Sequence, residues 1–255
     1  AVKLMIRMRG TITGAFDRLM VYGPAAIGAF AMSFSTSTWD NSIEAEVYSL
    51  GMFFVAVIIW LALRWWERSD EPHGERYLLM IAYLIGLSVG VHLLGVLALF
   101  AVLMLIYFRN YEVTRQTAIR FGAVALGIFF VVYPGVVQIL PSMLDGDAKF
   151  PLVGTVESGL LPLVPLVLII AALWYGWKSI ERNQKTVHIA CLSFLLIVLG
   201  YTTYTVVLLR ANVPNMPMNE NRPADMAGLT AYLGREQYGD TPMLKGESWD
   251  NNLQA

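Results

Sequence analysis

The chain has 255 residues, of which 56% are hydrophobic and only 15% are charged, and its 18 Lys and Arg nearly balance 19 Asp and Glu. A soluble domain carries about 25% charged residues, so this composition excludes an ordinary soluble protein and a disordered chain and predicts an integral membrane protein. The formal net charge of −1 argues against nucleic acid as a partner, because phosphate binding relies on a surplus of Lys and Arg.

Residues 1–18 form a basic segment that leads into the first apolar stretch. No short apolar segment with a small-residue cleavage site follows, so the segment does not resemble a signal peptide. We interpret it as a cytoplasmic lead-in. Because the first residue is Ala1 and the last residues are polar, we expect the chain to be a fragment of a longer protein.

Six long stretches almost without charged residues follow the lead-in. They are residues 19–39, 47–63, 77–108, 121–144, 158–177 and 183–209, the last interrupted only by Lys185. A hydrocarbon core of ~30 Å takes about 20 helical residues, so five of the stretches predict one crossing each. Residues 77–108 would make a helix of about 48 Å, which is too long for one upright crossing and short for two.

The distribution of cations favours a hairpin within 77–108 that turns near His92. Lys and Arg collect in short cytoplasmic loops. With this hairpin, the predicted external loops 39–49 and 141–157 contain a single Lys or Arg, which is Lys149. The predicted fold class is therefore an all-α transmembrane bundle, 19–209, with about seven crossings and the N-terminus inside. The predicted internal segments hold Lys3, Arg7, Arg9, Arg18, Arg64, Arg68, Arg76, Arg109, Arg115, Arg120, Lys178, Arg182 and Lys185.

Two local features of the bundle are predicted from small residues and proline. Pro134 and Gly135 fall inside the fifth crossing and predict a kink. Ala82, Gly86 and Gly90 lie four apart on one helix face, where a second helix can approach closely. The frequency of glycine in membrane helices is the alternative explanation of that series.

Residues 210–255 are predicted to be an external tail that begins a soluble segment. Their composition changes sharply to charged residues and prolines. With Asn221 as N-cap and Pro223 in the first turn, residues 223–233 are predicted to form a short amphipathic helix. We expect its residues Leu229 and Leu233 to pack inward.

Three carboxylates, Asp40, Glu44 and Glu46, lie within seven residues of the predicted external loop. In a helix, Asp40 and Glu44 share a face, and Glu46 points elsewhere. Such carboxylates accept a raised pKa, bind a hard divalent cation such as Mg²⁺ or Mn²⁺, or stay fully solvated. All three alternatives are open, and Asp40, Glu44 and Glu46 are accordingly candidate metal ligands.

His92 is an ionisable side chain in the middle of an apolar stretch. Ionisable groups at membrane depth are costly and usually face a cavity or a partner. At the tip of an external hairpin, His92 either donates to a lipid phosphate or caps the turn. The apolar stretches otherwise lack the buried charges of ion-coupled transporters, which disfavours a pump or channel.

Three blocks of the sequence together resemble a known family. They are residues 42–48 (SIEAEVY), 81–94 (IAYLIGLSVGVHLL), and 218–221 (MNEN) followed by 235–240 (REQYGD). The blocks are similar to those of a bacterial family of large polytopic membrane proteins of uncharacterised function. That family is grouped with the protein O-mannosyltransferase-like glycosyltransferases of the GT-C fold.

The resemblance implies a GT-C-like transferase that takes a sugar from a polyprenyl-phosphate carrier at the outer face of the bacterial cytoplasmic membrane. By position, Glu44 or Glu46 would match the second acidic site of such enzymes, and His92 the position that holds the lipid phosphate. The first external loop, with its acidic base, would precede Ala1, so the fragment alone is expected to be inactive. Gly95 departs from the pattern, since the family is expected to carry Asn there.

A structural or accessory subunit of a larger membrane complex is the alternative function. The small-residue helix face and the external tail would then be docking surfaces for other protein subunits. A transporter is the third possibility.

Overall fold

A computed structural model describes residues 2–44, 47–150, 154–234, 236 and 239 of the chain. The described part is mostly helical and divides into two compact units, Ala1–Phe121 and Gly122–Ala255. The first unit holds α1 (Val2–Arg9), α2 (Ala15–Ser33), α3 (Thr36–Ile43), α4 (Tyr48–Arg68), α5 (Arg76–Val89), α6 (Leu94–Asn110) and the start of α7 (Arg115–Phe130). The second unit continues from α7 into a π-helical segment (Val131–Ile139), α8 (Leu140–Asp145), β1 (Asp147–Phe150), β2 (Gly154–Glu157), α9 (Leu163–Glu181), α10 (Lys185–Tyr201), a 3₁₀ turn (Thr202–Tyr204), α11 (Thr205–Ala211) and α12 (Met226–Leu233).

The core of the first unit lies where α4 packs against both α5 and α6. Ile58 of α4 and Ile85 of α5 are almost fully buried there. The predicted small-residue face of α5 belongs to the same core, because Ala82 and Gly86 are buried. Close packing through small residues, as the sequence predicted, therefore occurs inside this unit.

Polar contacts also lie near the C-terminal ends of α4 and α6. The guanidinium of Arg109, at the end of α6, donates to the Ser69 hydroxyl at 3.2 Å and pairs with the Asp70 carboxylate. Lys3 of α1 pairs with Glu67 near the end of α4. The predicted internal segments around residues 64–76 and 109 thus carry ion pairs that join α1 to α4 and α6 to the residues that follow α4.

The long helix of the second unit changes its hydrogen-bond register at Pro134. Pro134 has no N–H to offer the Phe130 carbonyl, so the α-helical ladder is interrupted there. At the end of the segment, the Leu140 N–H donates to the Gly135 carbonyl, five residues back. The sequence predicted a kink at this place, and the structure shows instead a π-helical segment of nine residues within the continuous helical segment Arg115–Asp145.

Pro141 removes a second donor from the same helix. In an α-helical register the Val137 carbonyl would accept from residue 141, and proline has no N–H to offer. The buried Tyr201 hydroxyl of α10 donates to this carbonyl at 2.9 Å. A side chain from a neighbouring helix thereby satisfies a backbone group that the sequence leaves without its local partner.

A two-stranded sheet corrects the all-α prediction. Strands β1 and β2 pair antiparallel, with Asp147 opposite Glu157 and Phe150 opposite Gly154. Gly146, at φ +93°, ends α8 and begins the hairpin, a left-handed conformation that glycine adopts without steric cost. The predicted external loop 141–157 therefore contains regular structure, although the described chain is dominated by helices.

The tail helix forms, but it begins later than predicted. The N-cap of α12 is Asp225, whose carboxylate accepts from the Gly228 N–H at 2.7 Å. Asn221 instead adopts φ +55° in the preceding turn, so the prediction of Asn221 as N-cap was wrong. Leu229 is 4% exposed, which confirms that it packs inward, and Leu233 is half-buried.

Four helical segments are long and apolar enough to cross a membrane. They are Tyr48–Arg68, Arg115–Asp145, Leu163–Glu181 and Lys185–Ala211, and the pair α2 and α3, bent by 51°, makes a fifth if the two form one span. The structure confirms a break near His92, since α5 and α6 are separate helices that pack together. The helices α5 and α6 have only 14 and 17 residues, fewer than the ~20 that a crossing takes. By helix length, the described part of the chain therefore does not reach the seven predicted crossings.

Candidate functional site

The predicted phosphate-holding residue lies in a tight turn between α5 and α6. The N–H groups of Val91 and His92 both donate to the Ser88 carbonyl, at 3.0 and 2.8 Å, which ends α5. Gly95 faces Ser88 so closely that a Cβ on Gly95 would lie 2.7 Å from the Ser88 Cβ. Glycine at position 95, where the family resemblance led us to expect Asn, is thus required by the approach of the two helices.

His92 uses one ring nitrogen to cap the next helix. Its Nδ1 accepts a hydrogen bond from the Leu94 N–H at 3.1 Å. Because an accepting nitrogen carries no proton, the neutral ring carries its proton on Nε2. Within the described part of the chain, Nε2 has no hydrogen-bond partner. His92 therefore caps the turn, which is one of the two predicted alternatives, and its Nε2–H is left as a donor for a ligand.

The beginning of α4 forms the wall beside this histidine. The Tyr48 ring lies 5.4 Å from the His92 ring, centroid to centroid, and is tilted by 53°. One helical turn later, Gly51 presents no side chain, and a Cβ placed there would lie 3.4 Å from the His92 Cβ. The Tyr48 ring thus contacts the imidazole, Gly51 lies against the His92 Cβ, and His92 is half-buried.

The acidic candidates precede this wall in the chain. Asp40 lies in α3, and Glu44 ends that helix with its N–H donating to the Asp40 carbonyl at 3.2 Å. Both side chains are exposed. The Ser49 hydroxyl of α4 donates to the Asn41 carbonyl, which fixes the acidic helix to the start of α4.

The described residues do not bring the predicted metal ligands into one cluster. Among them, no group of three or more His, Cys, Asp or Glu is arranged to hold a metal ion. Glu46, the third carboxylate of the prediction, lies outside the described residues. Asp40 and Glu44 therefore supply the described carboxylates of this loop, four residues apart and exposed.

Tyr48 is the residue of this site that sequence reasoning did not assign a role. It ends the acidic block 42–48, but nothing in the sequence shows which aromatic ring contacts His92. That contact depends on how α4 packs against the hairpin of α5 and α6. A signal did exist in the sequence, since Tyr48 follows the acidic loop directly and begins an apolar helix.

Residues 2–115 match the family model described as the protein O-mannosyl-transferase TMEM260 N-terminal domain. The match covers 114 of the 255 residues and includes α1 to α6 with the acidic loop and His92. The chain is therefore similar to a protein O-mannosyltransferase domain in its first half. It matches no curated protein and no solved structure.

Proposed function

We propose that the chain is part of an integral membrane glycosyltransferase of GT-C type that takes a sugar from a polyprenyl-phosphate carrier. The similarity of residues 2–115 to a protein O-mannosyltransferase domain supports transfer of a sugar at a general level. The observation that carries the proposal is the arrangement of His92, which keeps its Nε2 donor free while Nδ1 is used as a cap. Apolar helices long enough to cross a membrane supply the environment that a lipid-linked donor requires.

The proposed role of His92 is to donate from Nε2 to a phosphate oxygen of the carrier. When the bond between the sugar and the phosphate breaks, negative charge develops on the departing phosphate. A hydrogen bond from the neutral ring's Nε2–H to that oxygen becomes stronger as the negative charge on the phosphate grows, and Nδ1 keeps its cap on Leu94 throughout. Tyr48 holds the imidazole ring in place so that no rotation is needed during the reaction.

Glu44 and Glu46 are the proposed second acidic site. Glu44 is placed at the C-terminal end of α3, where carbonyl groups also face outward. A divalent cation, Mg²⁺ or Mn²⁺, fits this loop only partly, because Asp40 and Glu44 supply two carboxylates and such ions take six or more oxygen ligands. Asp40, Glu44 and Glu46 would hold the ion together with waters and the carrier phosphate. The ion would supply charge neutralisation there.

The proposed location is the bacterial cytoplasmic membrane, with the N-terminus inside and the tail outside. Cysteine substitutions at His92, Arg68, Arg115 and Arg182 test this orientation in intact cells. A membrane-impermeant thiol reagent added outside should label position 92 and leave the three arginine positions unlabelled. Strong labelling at position 115 would contradict the proposed hairpin.

Variants of His92 in the complete membrane protein test the transferase function. His92→Ala removes both the cap and the donor, whereas His92→Asn restores the cap, since an Asn side chain bonds the N–H two residues on. Both should lose transfer from a radiolabelled polyprenyl-phosphate sugar, and only the alanine variant should also lose thermal stability. Glu44→Gln and Glu46→Gln should reduce transfer without reducing expression.

His73 offers a matched control for these variants. It is an exposed histidine with φ +61°, a conformation that Asn tolerates, so His73→Asn should leave sugar transfer unchanged. If His92→Asn transfers sugar as fast as the His73→Asn control, the histidine only caps α6. The proposed phosphate contact would then be withdrawn.

The alternative of an accessory subunit receives less support from the structure. The small-residue face that would serve for docking is buried within its own unit at Ala82 and Gly86. The tail helix is also docked on its own unit, because α12 packs against α8 and the π-helical segment. Both surfaces predicted to dock other subunits therefore pack against helices of this chain itself.

A further inference from the structure

A cavity of about 280 Å³ lies in the second unit between the end of α11 and the tail that follows it. Arg210 of α11 and Glu220 of the tail both line it, together with apolar side chains that include Val206, Met218 and Pro223. Small-molecule sites usually have volumes of about 300–1,000 Å³. The cavity is therefore large enough for a small polar group and too small for a whole lipid.

Two polar contacts hold the wall of this cavity in place. The Asn219 amide donates to the Ala211 carbonyl at 2.9 Å, which fixes the tail to the end of α11. The Asn212 amide donates to the Ala224 carbonyl at 2.8 Å, which ties the end of α11 to the segment just before α12. The cavity is thus built from segments that are anchored on both sides of its opening.

The two charged side chains of the cavity do not neutralise each other. Within the described part of the chain, neither the Arg210 guanidinium nor the Glu220 carboxylate takes part in a hydrogen bond or an ion pair. A cavity that presents one free cation and one free carboxylate matches a ligand that carries both charges. A ligand with phosphate alone would be attracted by Arg210 and repelled by Glu220.

The surroundings of the cavity indicate where such a ligand comes from. Arg210 lies at the end of Lys185–Ala211, a segment long and apolar enough to cross a membrane, and the ends of such segments lie at the lipid headgroups. Among the residues that line the cavity, Val206 is 60% exposed and Met218 84%, and Leu209, which precedes Arg210 in α11, is 69% exposed. Large exposed apolar side chains next to a charged opening fit the acyl chains and the headgroup of a lipid.

We propose that this cavity binds the headgroup of a zwitterionic phospholipid with a primary amine. Arg210 contacts the phosphate, Glu220 accepts hydrogen bonds from the ammonium group, and the acyl chains lie along Val206 and Leu209. A quaternary ammonium group fits less well, because it is bulkier and has no N–H to donate to Glu220. This site is separate from the acidic loop and His92, so the proposal does not depend on the transferase function.

Native mass spectrometry of the purified full chain tests the proposal. Phosphatidylethanolamine, phosphatidylcholine and phosphatidylglycerol are titrated separately against the unaltered protein and the variants Arg210→Gln, Glu220→Gln and Arg182→Gln. Phosphatidylethanolamine should bind roughly tenfold more tightly than phosphatidylglycerol, as expected for one charge-assisted contact. Arg210→Gln should weaken both lipids about tenfold, and Glu220→Gln should remove the preference between them.

The control and a soluble competitor make the test decisive. Arg182 is an exposed cation that ends α9 outside the cavity, so Arg182→Gln should leave the affinities unchanged. Equal affinity of the unaltered protein for phosphatidylethanolamine and phosphatidylglycerol would overturn the proposal, as would unchanged binding by Arg210→Gln. Displacement of the lipid by an equal concentration of phosphoethanolamine would overturn the lipid assignment, because a membrane ligand needs its acyl chains to bind.

Discussion

The close approach of α5 and α6 makes Gly95→Ala an informative substitution. A Cβ on residue 95 would lie 2.7 Å from the Ser88 Cβ and 1.9 Å from its hydroxyl oxygen. The Ser88 hydroxyl can rotate away, but its Cβ is fixed to the backbone of α5. The two helices must therefore separate by about 0.7 Å to restore an ordinary contact of 3.4 Å.

Two effects of opposite sign determine the expected free energy change. Overpacking of a well-packed contact costs about 1–3 kcal/mol, while replacing Gly by Ala in a helix gains up to ~1 kcal/mol. We expect a net destabilisation of about 1–2 kcal/mol for Gly95→Ala. In a protein that also carries Ser88→Gly, the overlap is gone, and the same Gly95→Ala change should stabilise by up to ~1 kcal/mol.

Unfolding of the purified protein in mixed micelles, with increasing denaturing detergent, measures all four members of this double-mutant cycle. The decisive result is the sign of the Gly95→Ala effect in the two backgrounds. If Gly95→Ala destabilises equally with and without Ser88→Gly, the two residues are not in contact and the reasoning is refuted. Because His92 lies in the same turn, Gly95→Ala in the complete protein should also reduce sugar transfer.

Three further predictions concern the second unit. Tyr201→Phe should destabilise by about 1–2 kcal/mol in the same unfolding assay, because the buried Val137 carbonyl loses its donor. The half-buried Tyr133 of the π-helical segment serves as the comparison, and an equal loss from Tyr133→Phe would contradict a special role for the Tyr201 bond. Asp225→Ala removes the side-chain cap of α12 and should cost about 1 kcal/mol, seen as faster amide hydrogen exchange in α12 with α10 unchanged. Leu229→Asp should increase protease cleavage of the tail while circular dichroism of the helices stays constant, and unchanged cleavage would show that α12 is not docked.

Much of the helical pattern could be predicted because it depends on local composition. The break near His92 could be predicted because the length of the uncharged stretch 77–108 fits neither one crossing nor two well, and the distribution of Lys and Arg then favours a hairpin. The irregularity at Pro134 follows from a missing N–H, and proline has this property in every context. The inward position of Leu229 follows from the spacing of apolar residues in the tail.

Other features depend on contacts that the sequence does not reveal. The hairpin of β1 and β2 lies in two four-residue strands, which are too short to show an alternating pattern. Asp225 and Asn221 are both suitable N-cap residues, and the choice between them is made by the packing of α12. The lengths of α5 and α6 were also not predicted, because the residues of the turn are as apolar as the helices.

The candidate site was predicted in its parts and not in its arrangement. His92 was identified because an ionisable side chain is rare in an apolar stretch. The sequence left open whether the His92 ring caps the turn or faces a ligand. The structure shows that its Nδ1 caps the turn. The contact with Tyr48 required the position of α4, which no local pattern determines.

The short helices α5 and α6 have a consequence for the lipid around them. At 14 and 17 residues they extend about 21 and 26 Å, against ~30 Å of hydrocarbon. A bilayer accommodates such a deficit by thinning locally at a modest energetic cost. If α5 and α6 cross the membrane as the proposed function requires, headgroups near the hairpin lie deeper than elsewhere, and the proposed carrier phosphate would meet His92 below the level of the surrounding membrane surface. The mismatch in length would thus concentrate polar lipid groups at the turn where, among the described residues, the His92 Nε2 has no hydrogen-bond partner.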